Sequence, residues 1–168
     1  SKTRRHLTEF WMLEPEMAYY DLDMNMDLIE NFVSYVVQTV LKECKDDLIV
    51  LERDTSSLER VKAPFPRISY SEAADILEKE CPDFIRGEDF GAAHETAISQ
   101  RYDRPVFVYD FPKVIKGFYF KESKDPDFVR GCDLLAPEGF GEIVGGGQRE
   151  DDVNKLLEGI EHHGLNQD

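Results

Sequence analysis

The chain has 168 residues, with 20 lysines and arginines against 35 aspartates and glutamates, a net charge of −15. That length is one ordinary domain with enough chain for a real core. The acidity argues against broad nucleic-acid binding and leaves Lys2, Arg4 and Arg5 as the one local basic patch.

No run is apolar and long enough to span a membrane and no signal peptide is visible, so the expected location is the cytoplasm. Cys44, Cys81 and Cys132 form no Cys-x-x-Cys pair and read as thiols in a reducing compartment. Nothing beside them supplies the base or dipole that a catalytic thiol needs.

In chain order, Lys2-Thr3-Arg4-Arg5-His6-Leu7-Thr8-Glu9 is the dense basic run. It reads either as a solvated loop or as a loop contacting phosphate. His6 and Glu9 look like half a metal site, but no second histidine follows at helical spacing. Residues 10–17 alternate as a strand: Trp11, Leu13, Pro15 and Met17 on one face, Phe10, Met12, Glu14 and Glu16 on the other. Pro15 limits that strand to an edge or a break in pairing.

Residues 26–44 carry a 3.6-residue apolar stripe through Leu28, Ile29, Phe32, Val33, Val36, Val37, Val40 and Leu41, a long amphipathic helix whose apolar face is core. Ser69 with Glu72 makes a capping-box pattern for a helix over about 70–80, ended by Pro82. A short helix over 91–101 holds His94. A strand starts at Pro105, and Phe118-Tyr119-Phe120 reads as another after the Pro112 break. Residues 121–130, rich in Lys, Asp and Pro, read as a mobile loop. The last helix covers 150–163, with Gly164 at its C′ position and His162-His163 needing no role beyond the helix end.

Between these lie two apolar runs around Pro137-Glu138-Gly139, a turn signal. A hairpin centred on Pro137-Glu138 opposes Asp133 to Glu142. Like charges directly opposite on a sheet repel. A hard divalent cation removes that penalty, and Mg²⁺ commonly uses one or two carboxylates plus substrate phosphates. The plainer reading is a solvated edge hairpin with no metal. Gly145-Gly146-Gly147 then marks a place where something approaches the backbone closely. Arg149 lies seven residues past Glu142, an odd spacing that sends the two to opposite faces of a flat strand. They reach one site only if the glycine run bulges or the strand ends there; otherwise Arg149 is a surface residue.

Strand, helix, irregular region, two short helices, four strands and a helix make an α+β chain, an antiparallel sheet flanked by helices. No Gly-x-Gly-x-x-Gly or P-loop pattern is present, and Ser-His-Asp chemistry has no local support.

Arg4-Arg5-His6-Leu7-Thr8-Glu9-Phe10-Trp11-Met12-Leu13-Glu14-Pro15-Glu16 resembles the second half of motif 2 of class II aminoacyl-tRNA synthetases. Gly141-Glu142-Ile143-Val144-Gly145-Gly146-Gly147-Gln148-Arg149-Glu150 resembles the glycine-rich strand of the subgroup for aspartate, asparagine and lysine. The likeness runs along the whole chain, through Ala63-Pro64-Phe65-Pro66-Arg67-Ile68, Gly87-Glu88-Asp89-Phe90 and Lys116-Gly117-Phe118-Tyr119-Phe120, and is strongest to the asparagine-specific branch of bacterial type.

The resemblance implies a class II synthetase-like partial catalytic (adenylation) domain over 1–168. Its cofactors would be ATP and Mg²⁺, and its activity that of an enzyme, asparagine activation followed by transfer to tRNA(Asn). Phe10 would stack on adenine, Arg5, His6 and Glu9 would help place ATP, and Glu142 would serve ATP through Mg²⁺, which Asp133 and Glu142 carry. Glu14, with Glu16 beside it, would read the substrate side chain with Arg149 as partner; Arg149 and His6 are the catalytic candidates.

The expected partners are asparagine, the acceptor end of tRNA(Asn), and a second subunit in a homodimer for the full-length family member. Motif 1 and the motif 2 Phe-Arg-x-Glu would lie before Ser1 and motif 3 after Asp168, with no anticodon-binding barrel. The chain alone is therefore expected to be inactive in adenylation. The competing readings are an inactive fragment or paralogue acting as a binding module, and an ammonia-using asparagine synthetase on the same fold.

Overall fold

The computed structural model describes residues 7–165. Helix α1, Leu22–Glu43, begins at Asp21, whose carboxylate accepts from Met24 N at 2.8 Å. A short α2, Lys45–Val50, follows directly. Strand β1, Arg67–Ser69, runs into α3, Tyr70–Glu80, and then α4, Ala92–Ser99. Strands β2 (Val106–Pro112), β3 (Phe128–Ala136) and β4 (Gly141–Gly147) lead to α5, Val153–His162.

The expected capping box is present: Glu72 N donates to Ser69 Oγ at 3.2 Å and Ser69 N donates to Glu72 Oε2 at 2.7 Å. At the other end of the chain Gly164 takes φ 62° and closes α5.

The sheet has the order β1-β2-β3-β4. Alternation along β2 and β3 builds a core on each face. Val106, Val108 and Leu135 meet Tyr70, Leu77 and Ile98 of α3 and α4. Phe107, Cys132 and Leu134 meet Leu22 and Met26 of α1. The register of β2 slips between Tyr109 and Phe111, around Asp110 at φ 55°, which returns Phe111 to the α3/α4 side. Burial pushes the Cys132 thiol up to about 12, as suits an inert core residue. On the α1 side, Glu30 is buried; it accepts from Phe65 N at 2.8 Å and pairs with Arg67 at 3.3 Å, fastening α1 to the segment that enters β1.

Several expectations change. The α+β class holds, but the sheet is mixed, because β1 pairs with β2 in parallel. Parallel neighbours need a crossover connection, and α3 with α4 supplies it.

Residues 10–17 are not a strand. Phe10 and Trp11 are exposed, Trp11 almost completely at 99%, and the run has no ladder. Side-chain alternation does not make a strand without a paired neighbour, and Pro15 removes one of the needed N–H groups. Phe118-Tyr119-Phe120 is a turn with one bridge, Phe120 to Arg149. The Tyr119 ring folds back over Gly117, where a Cβ would lie 2.5 Å from it.

The 121–130 stretch is tied down rather than free. Lys121 N donates to Gln148 O at 2.9 Å, Ser123 N to Phe128 O at 2.9 Å and Arg130 N to Lys121 O at 2.8 Å.

Candidate functional site

The β3–β4 hairpin does not have the register expected from its turn. Ala136 pairs with Gly141, Leu135 with Glu142, Leu134 with Val144 and Asp133 with Gly145. The turn spans 137–140, with Glu138 and Gly139 at φ 61° and 78°. Arg53 and Ser57 hold the Glu138 carboxylate at 2.7 and 2.6 Å. Between Leu135 and Leu134 the partner strand skips Ile143, a bulge. Asp133 therefore faces Gly145, not Glu142.

The bulge nonetheless brings the two carboxylates together. In a regular strand Glu142, three places from Gly145, would point to the other face; the bulge at Ile143 reverses that. With it, Glu142 shares the face of Leu135, Asp133 and Gly145. A Cβ on Gly145 would lie 2.6 Å from Glu142 Oε1 and 3.6 Å from Asp133 Oδ1. The missing side chain is what admits both acids.

Burial raises the Asp133 carboxyl above its usual range, against the opposing pull of Lys116. Burial also raises Glu142, and the Asp133 charge beside it adds to the effect. Two raised, converging carboxylates over a glycine fit a hard divalent cation that completes its shell with phosphate and water. Among the described residues no group of three His, Cys, Asp or Glu side chains makes an all-protein cage.

Sequence reasoning missed what surrounds this pair. Lys116 Nζ lies 3.0 and 2.9 Å from the two Asp133 oxygens. Glu95 Oε2 on α4 accepts from Glu142 N at 3.2 Å. No periodicity links these positions, since each arrives on a different element.

Farther along, Arg149 follows the glycine run. Its Nη2 lies 2.5 Å from Glu16 Oε1 and its guanidinium carbon 4.6 Å from the centre of the Tyr119 ring. That pairing holds the Glu16 carboxyl below its usual range. The expected partner was Glu14; the structure instead brings Glu16 to Arg149 and leaves Glu14 exposed. Both acids share a face by alternation, but Pro15 lies between them and the run is not a pleated strand. Glu9 and Phe10 also stand exposed. Arg5 and His6 lie outside the described residues.

His94 of α4 serves its own helix start, its Nδ1 accepting from Gly91 N at 3.1 Å.

An acidic pocket over a glycine strand, followed by an arginine clamped between a carboxylate and an aromatic ring, sits on a helix-flanked sheet. The chain belongs to the class II tRNA synthetases (D, K and N), whose family pattern it matches over residues 1–168.

Among curated proteins it is 51% identical to the asparagine–tRNA ligase of Herpetosiphon aurantiacus, over 98% of this chain and 40% of that protein. It is 52% identical to the asparagine–tRNA ligase of Sorangium cellulosum, again over 98% and 40%. Among solved structures, asparaginyl-tRNA synthetase from Pyrococcus horikoshii complexed with asparaginyl-adenylate superposes with a TM-score of 0.93 at 49% identity, covering 99% of this chain and 38% of that one. The chain thus spans about two fifths of the length of the curated relatives it matches.

Proposed function

We propose that this chain is part of the adenylation domain of an asparagine–tRNA ligase. One observation carries the reading: Arg149 is clamped by Glu16 and Tyr119 beyond the glycine strand that unites Asp133 and Glu142. The names of its relatives and the adenylate complex of the Pyrococcus horikoshii protein support it.

In the reaction an oxygen of the asparagine α-carboxylate attacks the α-phosphorus of ATP. The bond to pyrophosphate breaks, and asparaginyl-adenylate forms. The acceptor end of tRNA(Asn) then displaces AMP. Two anions must meet in the first step, so positioning and positive charge dominate over proton transfer.

Arg149 offers a planar set of donors to the side-chain oxygen of asparagine. Glu16, ionised at neutral pH, accepts from the amide nitrogen and repels the carboxylate of aspartate. Asp133 and Glu142 are the residues that would hold Mg²⁺. When bound, the ion neutralises phosphate charge and orients ATP. The resemblance gives Phe10 to the adenine ring and Arg5, His6 and Glu9 to the placement of ATP. A cytoplasmic homodimer belongs to the same proposal; among the described residues no helix is long and apolar enough to cross a membrane.

The test is asparagine-dependent ATP–pyrophosphate exchange in a polypeptide of the relatives' length carrying this sequence, against aspartate as competitor. Exchange driven by aspartate, or by neither amino acid, overturns the reading.

Glu16→Gln is expected to lower the ratio of kcat/KM for asparagine over aspartate by about 10- to 100-fold, since a charged hydrogen bond becomes a neutral one and the repulsion disappears. Glu14→Gln should change that ratio far less. A larger loss from Glu14→Gln than from Glu16→Gln would return the reading of the amide to Glu14.

A further inference from the structure

Lys116 is the one described cation hydrogen-bonded to the acids over Gly145. It follows the 3₁₀ turn Lys113–Ile115, which the chain makes after leaving β2 at Pro112. Its stem passes over Gly131, where a Cβ would be 3.8 Å from Lys116 Cε. Its Nζ sits 4.0 Å from the centre of the Phe111 ring. It also touches both oxygens of Asp133, and the two side chains are only 16% and 9% exposed. The ammonium is therefore held in place from below by an aromatic face and from the side by a carboxylate. Around it the charge is negative: Glu142, Glu95 and Asp89 all act on this pocket.

We propose that Lys116 is a positioning residue that competes with the divalent cation for Asp133, keeping the affinity of the Asp133–Glu142 pair for a bare ion low. The proposal rests on the adenylation reading for the identity of the ion's other ligands, the phosphates of ATP.

The electrostatics set the direction. Lys116 bonds to both Asp133 oxygens, so an ion using that carboxylate must share it or displace the ammonium. A unit positive charge a few ångströms from a divalent ion repels it even at the dielectric of water, and more strongly where the surroundings are less polar. A triphosphate arriving with its own ion brings enough negative charge to outweigh that repulsion. The pocket then accepts the ion with its nucleotide and discriminates against the ion alone.

The experiment uses a polypeptide of the relatives' length carrying this sequence, with Mn²⁺ alone and without ATP or amino acid, read by the paramagnetic resonance signal of free Mn²⁺. The wild type is expected to bind weakly. Lys116→Gln should bind at least about tenfold more tightly, from the Coulomb repulsion removed. Lys116→Arg, which keeps the charge, should return to the wild-type value. Adding Glu142→Gln to Lys116→Gln should abolish the gain, which ties it to this pocket.

If Lys116→Gln does not fold, the unmutated chain carries the test: with lysines ¹³C-methylated, the Lys116 resonance should shift on Mg²⁺ titration, and a fixed resonance at saturating Mg²⁺ overturns the proposal. Equal or weaker Mn²⁺ binding by a folded Lys116→Gln overturns it too, while leaving asparagine-dependent exchange untouched as the test of the adenylation reading.

Discussion

Replacing Arg149 by lysine should cost about 10² to 10³ in kcat/KM for asparagine, the usual loss when one preorganised electrostatic donor is removed. The substitution keeps the charge and still fails, because geometry carries the effect. The guanidinium presents a planar fork; an ammonium is a point charge on a flexible stem. Here the fork is already set before any substrate arrives. Glu16 takes two of its nitrogens, Nη2 at 2.5 Å and Nε at 3.4 Å, and Tyr119 stacks beneath it. A lysine can meet a carboxylate and a ring together, as Lys116 does, but it has no planar fork to present alongside them. The measurement is asparagine-dependent pyrophosphate exchange over a range of asparagine concentrations, in a polypeptide of the relatives' length. A loss of less than about fivefold in a folded protein would show that the arginine acts only as bulk positive charge, well short of the donor effect expected.

Gly147→Ala should destabilise the fold by about 3 kcal/mol or more, at the upper end of what overpacking costs. A Cβ at this position would meet the Phe120 ring and lie 2.5 Å from the carbonyl oxygen of Arg130. The ring could shift. The carbonyl cannot, because it accepts from Gln148 N at 2.9 Å within the hairpin. Trimming the ring in a Gly147→Ala/Phe120→Leu double variant should therefore recover only part of the loss. Urea unfolding followed by far-ultraviolet circular dichroism gives the value. A cost below 1 kcal/mol, or complete recovery in the double variant, would mean that the backbone contact yields.

These two positions mark how far the sequence is legible. Most of the helices are readable from a local signal, although the short α2, Lys45–Val50, is not. α3 has its Ser69–Glu72 box and α5 its closing glycine; the apolar stripe of α1 marks a helix but only in part a core face, since Leu28, Phe32, Val36 and Val40 stand exposed and Leu22 and Met26 are the buried apolar residues. The glycine run is readable as a close approach or a bulge, since glycine otherwise weakens a strand.

Strand β1 is not readable. Three residues are too few for a period, and parallel pairing with β2 is decided by the crossover. Residues 10–17 show the opposite error: alternation is present, but hydrogen-bonding neighbours are not. The bulge at Ile143 has no signature either, since a β-branched residue looks the same in a bulge and in a ladder. Proximity of Asp133 to Glu142 was the expectation and is found, yet the pairing expected to cause it is not. The turn lies elsewhere and the bulge restores the face. Lys116 and Glu95 could not be placed with these acids by any spacing rule, because β2's exit and α4 reach the hairpin only through the tertiary packing.

The two parts of the site differ in how much chain must close to make them, and this gives them different histories during folding. Asp133 faces Gly145 across one hairpin, and Lys116 reaches Asp133 over 17 positions. Arg149 meets Glu16 across 133. Contacts between distant positions form late, since their loop-closure entropy must be met first. The acidic pocket should therefore be assembled while the arginine clamp is still open. A partly folded chain would carry the acidic pair with its lysine before it carries the clamp. Pulse-labelled hydrogen exchange during refolding should show β3 and β4 amides protected before the Glu150 amide, which bonds to Tyr119 O at 2.8 Å behind the clamp; simultaneous protection would make the site a single cooperative unit.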